Sequence, residues 1–151
     1  MLRLLFICTV IWICSACSKQ IYPVQSVKAI AEEGKTLTIR STGYGKTSDE
    51  ALDAAERNAI EVLLFRGLPE TQYTLPLTGT DEVAIKTKFK QYFEDFFSGG
   101  RHKSFILASV PVVDFDKHGR SEGKITADIR INVYALQSDL ETHGIIRKFG
   151  Y

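Results

Sequence analysis

Few residues in this chain have the types and spacing that could do chemistry. Cys8, Cys14 and Cys17 crowd the N-terminus, while His102, His118 and His143 lie far apart. None of the histidines shows the i, i+4 helical spacing of a zinc pair. No serine sits in a G-x-S-x-G context, so the sequence offers no nucleophile elbow. Gly45-Lys46-Thr47 could close a phosphate loop, but the G-x-x-x-x-G-K-[ST] spacing needs a glycine where Arg40 stands. Gly43-Tyr44-Gly45 is read instead as a strand-to-helix turn needing positive φ. Asp114, Asp116 and Glu122 gather around another turn without the spacing of a calcium loop. They are expected to be solvated. The expectation is therefore no catalytic residue, no metal and no cofactor: a protein that is not an enzyme.

The aromatic residues are the better lead. Tyr92, Phe93, Phe96 and Phe97 fall within six residues, and one helical stripe cannot bury Phe96 and Phe97 equally. Two readings stand: the cluster is core covering a sheet, or one or two rings are exposed as anchors for a partner. Tyr92, Phe96 and Phe97 are the candidate interface residues, with Phe149 and Tyr151 at the C-terminus as a second candidate. Nucleic acid is not expected as a partner. The chain carries 19 Lys+Arg against 18 Asp+Glu, and a phosphate-binding surface needs clustered positive charge.

The N-terminus carries the clearest signal. Arg3 is a short positive region, Leu4 to Ile13 is a nearly uninterrupted apolar run, and Cys14-Ser15-Ala16-Cys17 supplies small residues ending in cysteine. This is the three-part layout of a secretory signal peptide, and the run is shorter than the roughly 20 apolar residues of a membrane span. An ordinary signal peptide cut nearby or an uncleaved anchor would share much of it. The end of the run resembles the lipobox of bacterial lipoproteins at Ser15, Ala16 and Cys17, departing at Cys14, where leucine is usual. The resemblance implies cleavage before Cys17, whose sulfur would carry a diacylglycerol anchor to the membrane. Ser18 follows where retained inner-membrane lipoproteins carry aspartate, and Ser18-Lys19-Gln20-Ile21 lacks an acidic surface-display run. That implies an outer-membrane lipoprotein facing the periplasm rather than the outer surface.

Cleavage would change the composition. The signal contains one basic residue and no acid, so the mature chain would hold 18 basic residues against 18 acidic. It would lose Met1, Cys8, Trp12 and Cys14, leaving no pair of thiols for an internal disulfide. Its fold must then rest on its core, and a chain of about 135 residues is long enough for one. The expected layout is a signal peptide at 1–16, a tether at 17–34 and a single α+β domain at 35–151.

Thr36 to Tyr44 alternates, with Leu37 and Ile39 on one face, and is expected to be a half-buried strand. Thr47 followed by Glu50 fits a capping box opening a helix that reaches Arg66. Leu52, Ala55, Ala59 and Leu63 form its stripe, its small alanines allow close approach to a sheet, and Gly67 offers a left-handed cap. Residues 68–80 make a long loop. A second helix is expected from Thr80 or Asp81 to Phe97, with Ile85, Phe89, Phe93 and Phe96 as its stripe. Phe105 to Phe115 should be a strand buried on one or both faces, and Pro111 implies an edge or a bulge. Gly123 to Ala135 alternates most cleanly, placing Ile125, Ala127, Ile129, Ile131 and Val133 together. Ser138 could cap a brief helix ending before Gly144. The sum is an α+β class: an antiparallel sheet of three or more strands with two main helices packed on one face.

The strand Ile39 to Gly45 ending in G-x-G, followed by a helix with Ala51, Ala54, Ala55 and Ala59, is similar to a small-lipoprotein domain. That domain is shared with the N-terminal module of the flagellar assembly protein T. The resemblance covers about thirty residues, and the long central insertion departs from it. It implies a non-enzymatic accessory domain packed against an envelope machine, such as a type VI-like secretion apparatus, with an envelope protein as partner. The alternative is a periplasmic or surface binding module for peptidoglycan or a small ligand, using Lys124, Asp128, Arg130 and Asn132 on the polar face of the last strand.

Overall fold

The computed structural model describes residues 26–117 and 122–147. Its core begins where glycine meets alanine. Strand β2 (Thr36–Gly45) runs under helix α1 (Ser48–Phe65), and a Cβ on Gly43 would intrude on the backbone of Ala51 and Ala55. Neither Gly43 nor Gly45 takes positive φ. The glycines are there for space, which corrects the turn expectation: two backbones approach closely, and only hydrogen and methyl groups fit between them. Ala51, Ala55 and Ala59 are fully buried on this contact. Within it the Asn58 amide donates to the Ser41 hydroxyl at 3.1 Å, so the two buried polar side chains satisfy each other.

The helix starts as its sequence requires. Thr47 Oγ1 accepts from the Glu50 amide at 3.2 Å, and the Glu50 carboxylate reaches back to the Lys46 amide at 2.8 Å. It ends at Gly67, with φ of 78° and an N–H returning to Val62 O at 2.8 Å. The following loop is folded against that end. Leu77 and Thr78 amides donate to the Leu63 and Leu64 carbonyls at 3.2 and 3.1 Å, occupying acceptors that a helix terminus leaves without partners.

The sheet has four antiparallel strands in the order β1-β2-β4-β3, with β1 at Val27–Glu33, β3 at Ile106–Lys117 and β4 at Gly123–Asn132. Residues 27–33 were expected to belong to a tether; they pair with β2 instead. The strand was hard to see because only Val27 packs on the core and a bulge between Ala29 and Ala31 breaks the alternation. The two central strands pair from Thr36↔Asn132 to Gly45↔Gly123. Leu37, Ile39, Ile125, Ala127, Ile129 and Ile131 point under α1 and are buried.

Two further boundaries moved. The second helix is broken at Phe89 (φ −113°, ψ 36°) into α2 (Glu82–Lys88) and α3 (Lys90–Phe97). Asp81 caps α2 by accepting from the Ala84 amide at 2.9 Å; Ile85 of α2 is partly buried against the core, and the buried side chains come from α3. The last strand stops at Asn132, because its side chain accepts from the Ala135 amide at 3.0 Å and opens helix α4 (Val133–Thr142). Val133 continues the apolar alternation but belongs to that helix. The α+β class stands, with α1 packed on the sheet.

The outer face of the two central strands is polar. Arg40 and Asp128, directly opposite in register, form a two-pronged ion pair at 2.7 and 2.8 Å. Thr42 and Thr126 share a hydrogen bond at 2.9 Å. Hydrogen bonding to Arg40 holds the Asp128 carboxyl below its ordinary range, and the same contact raises Arg40.

Candidate functional site

The aromatic cluster is core. Phe96 is 0% exposed and Phe97 7%, which removes both as exposed anchors. Adjacent helical positions diverge by about 100°, yet both are buried because α3 ends between neighbours on two sides. Phe96 packs on Phe105 at 5.7 Å between ring centroids and on Tyr92 at 5.5 Å. Phe97 lies against Phe93 and under the Arg57 guanidinium. His102 is buried beside both rings, with its Nδ1 at 3.2 Å from the Phe96 carbonyl.

Tyr92 is half-buried and belongs to a polar clamp that the sequence did not reveal. Its hydroxyl donates to Asp139 Oδ2 at 2.6 Å, and Arg101 Nη2 donates to the same oxygen at 3.0 Å. The Arg101 guanidinium lies 4.7 Å from the Tyr92 ring centroid. His143 Nδ1 sits 2.8 Å from the Asp139 carbonyl oxygen, with its ring 5.0 Å from that of Tyr92. Burial, and then the hydrogen bond to Asp139, push the Tyr92 phenol well above its ordinary range. A phenol so held stays protonated and donates one short bond. The arrangement ties α3, the 3₁₀ turn at Arg101–Phe105 and α4 together; Lys103 of the same turn pairs with Asp53 of α1.

Four exposed apolar side chains gather elsewhere, on β3. Leu107, Val110, Val112 and Val113 are 45–58% exposed. This overturns the expectation of a strand buried on one or both faces. Helix α1 covers the central strands and makes a polar contact with β3, Ser109 Oγ donating to Glu56 Oε1 at 2.6 Å. Pro111 sits in this edge strand, flanked by irregularities in the pairing with β4, as a residue without an N–H requires.

A second feature is concave. Residues 72–77 of the central loop and the outer surface of α4 face each other across a groove of about 710 Å³. The loop's length is visible in the sequence; the wall facing it is not, because the alternation of β4 carries Tyr134 into the strand and a helix is expected only from Ser138.

The remaining candidates divide simply. Cys17, His118, Phe149 and Tyr151 lie outside the described residues. Lys124, Asp128, Arg130 and Asn132 lie along the outer face of β4, but the Asp128 carboxylate is committed to Arg40 and the Asn132 side chain to its cap. Among the described residues, no group of three or more His, Cys, Asp or Glu side chains could hold a metal ion, and no helix is long and apolar enough to cross a membrane. Comparison of the chain with protein-family models, with curated proteins and with solved structures gives no match.

Proposed function

We propose that this chain is a lipid-anchored, non-enzymatic accessory domain of the outer membrane, facing the periplasm and docking onto a protein of a cell-envelope assembly. A type VI-like secretion apparatus is one concrete setting. Cys17 would be the anchor. Acyl chains hold through about 0.8 kcal/mol per buried CH₂, and stable attachment takes more than one chain. The observation that carries the docking reading is β3: twelve residues on a sheet edge, with four large aliphatic side chains exposed. Pro111 and the irregular pairing blunt the edge against strand addition, so the docking surface is the exposed aliphatic side chains themselves.

The test combines anchor and edge. Cys17→Ser should shift the protein from the membrane to the soluble fraction. Val110→Lys with Val112→Lys should abolish in-cell crosslinks to an envelope protein while leaving the fold intact. Crosslinking of the wild type to nothing but itself sinks the docking reading. A second reading, a binding module for peptidoglycan or a small ligand, is favoured by the groove between the loop and α4.

A further inference from the structure

The groove has walls that are fixed before any ligand arrives. The loop wall is held by the Leu77 and Thr78 amides on the end of α1 and by the Leu68 amide on the Tyr73 carbonyl at 2.7 Å. The helical wall is held by the Asn132 cap at one end and the Asp139 clamp further along. Its volume of about 710 Å³ lies within the roughly 300–1,000 Å³ range of small-molecule sites.

The lining is mostly neutral. Glu141 is its one charged side chain, and the Lys35 ammonium reaches the Tyr134 ring from outside the lining. The other polar groups are neutral: the amides of Gln72 and Gln137, the hydroxyls of Thr74 and Ser138, and two tyrosines. Each amide offers a donor and an acceptor, and each hydroxyl can act as either. The Gln137 amide and the Ser138 hydroxyl make no hydrogen bond among the described residues. Tyr134 is 57% exposed, and its ring is steadied by the Lys35 ammonium at 3.8 Å from the centroid. A rigid, flat, half-wet ring beside amides suits a ligand with one apolar face and a polar rim. Pyranose rings have that form. An extended peptide is a poorer fit, because peptides commonly add to a strand edge and these walls are a loop and a helix.

We propose that this groove binds a neutral oligosaccharide, stacked on Tyr134 and hydrogen-bonded by Gln137, Ser138 and Gln72. The inference rests on the binding-module reading and is independent of docking through β3. Full-length protein is titrated calorimetrically with chitotriose, maltotriose and trilysine. Saturable binding of either sugar, weakened about tenfold by Tyr134→Ala and by Gln137→Ala, is expected; that is the scale of one lost contact. Val110→Lys, on the distant edge, should leave sugar binding unchanged. If neither sugar saturates the protein in the millimolar range, or if both groove variants bind as the wild type does, the proposal is overturned. Saturation by trilysine alone also overturns it, while leaving the binding-module reading in place.

Discussion

The contact of β2 with α1 and the strand β3 are both apolar, and the structure treats them oppositely. Leu37 and Ile39 are 0% exposed, whereas Val110 and Val112 are 58% and 45% exposed. The difference does not lie in residue type. It lies in position: β2 is central and covered by a helix that glycines and alanines let approach, while β3 is an edge that the same helix barely reaches. Apolarity supplies a tendency to be covered, and topology decides what does the covering. An apolar strand left open is therefore where a partner is to be sought.

The comparison breaks most readily at its covered side. Gly43→Val should destabilise the fold by about 3 kcal/mol or more, since the added atoms meet helix backbone rather than a movable side chain; urea denaturation measures it. A change under 1 kcal/mol would mean that α1 can lift off the sheet. Phe96→Ala should lose a similar amount, about 3–5 kcal/mol, because a fully buried ring is replaced by a cavity. Tyr92→Phe removes one hydrogen bond to Asp139 and should lower stability by about 1 kcal/mol. The open side should respond differently: Val112→Lys should change stability by no more than about 0.5 kcal/mol while weakening any self-association or partner capture seen by crosslinking.

The smallest effect concerns the outer face and depends on pH. Asp128 has a folded pKa below its unfolded one. Its contribution is thus present above the ordinary carboxylate pKa and is lost as pH falls through the depressed folded value. Wild type should exceed Asp128→Asn slightly at neutral pH, and the gap should close on acidification. A gap that widens in acid would contradict the pairing with Arg40.

Much of the fold was legible where a short-range pattern and a tertiary role coincide. Thr47 and Glu50 announced the start of α1, Gly67 its end and Pro111 an edge, because caps, left-handed turns and missing donors act within a few residues. The alternation of β4 was legible for the same reason, and it misled at Val133 only because Asn132 could end the strand by bonding the backbone itself. The candidate interface was less legible. Phe96 and Phe97 looked divergent on a helix considered alone, and the clamp of Tyr92, Arg101 and Asp139 joins residues up to 47 positions apart.

The sequence by itself determined the antiparallel α+β class and an amphipathic helix whose small alanines suit a close approach to a sheet. Only the tertiary structure decided that β1 extends the sheet, that the aromatic helix is core, that β3 stays open and that the central loop faces α4 across a groove. Local capping and periodicity are short-range and written in neighbouring residues. Coverage of a face depends on which elements the chain returns to it, and that is settled only when distant segments pack.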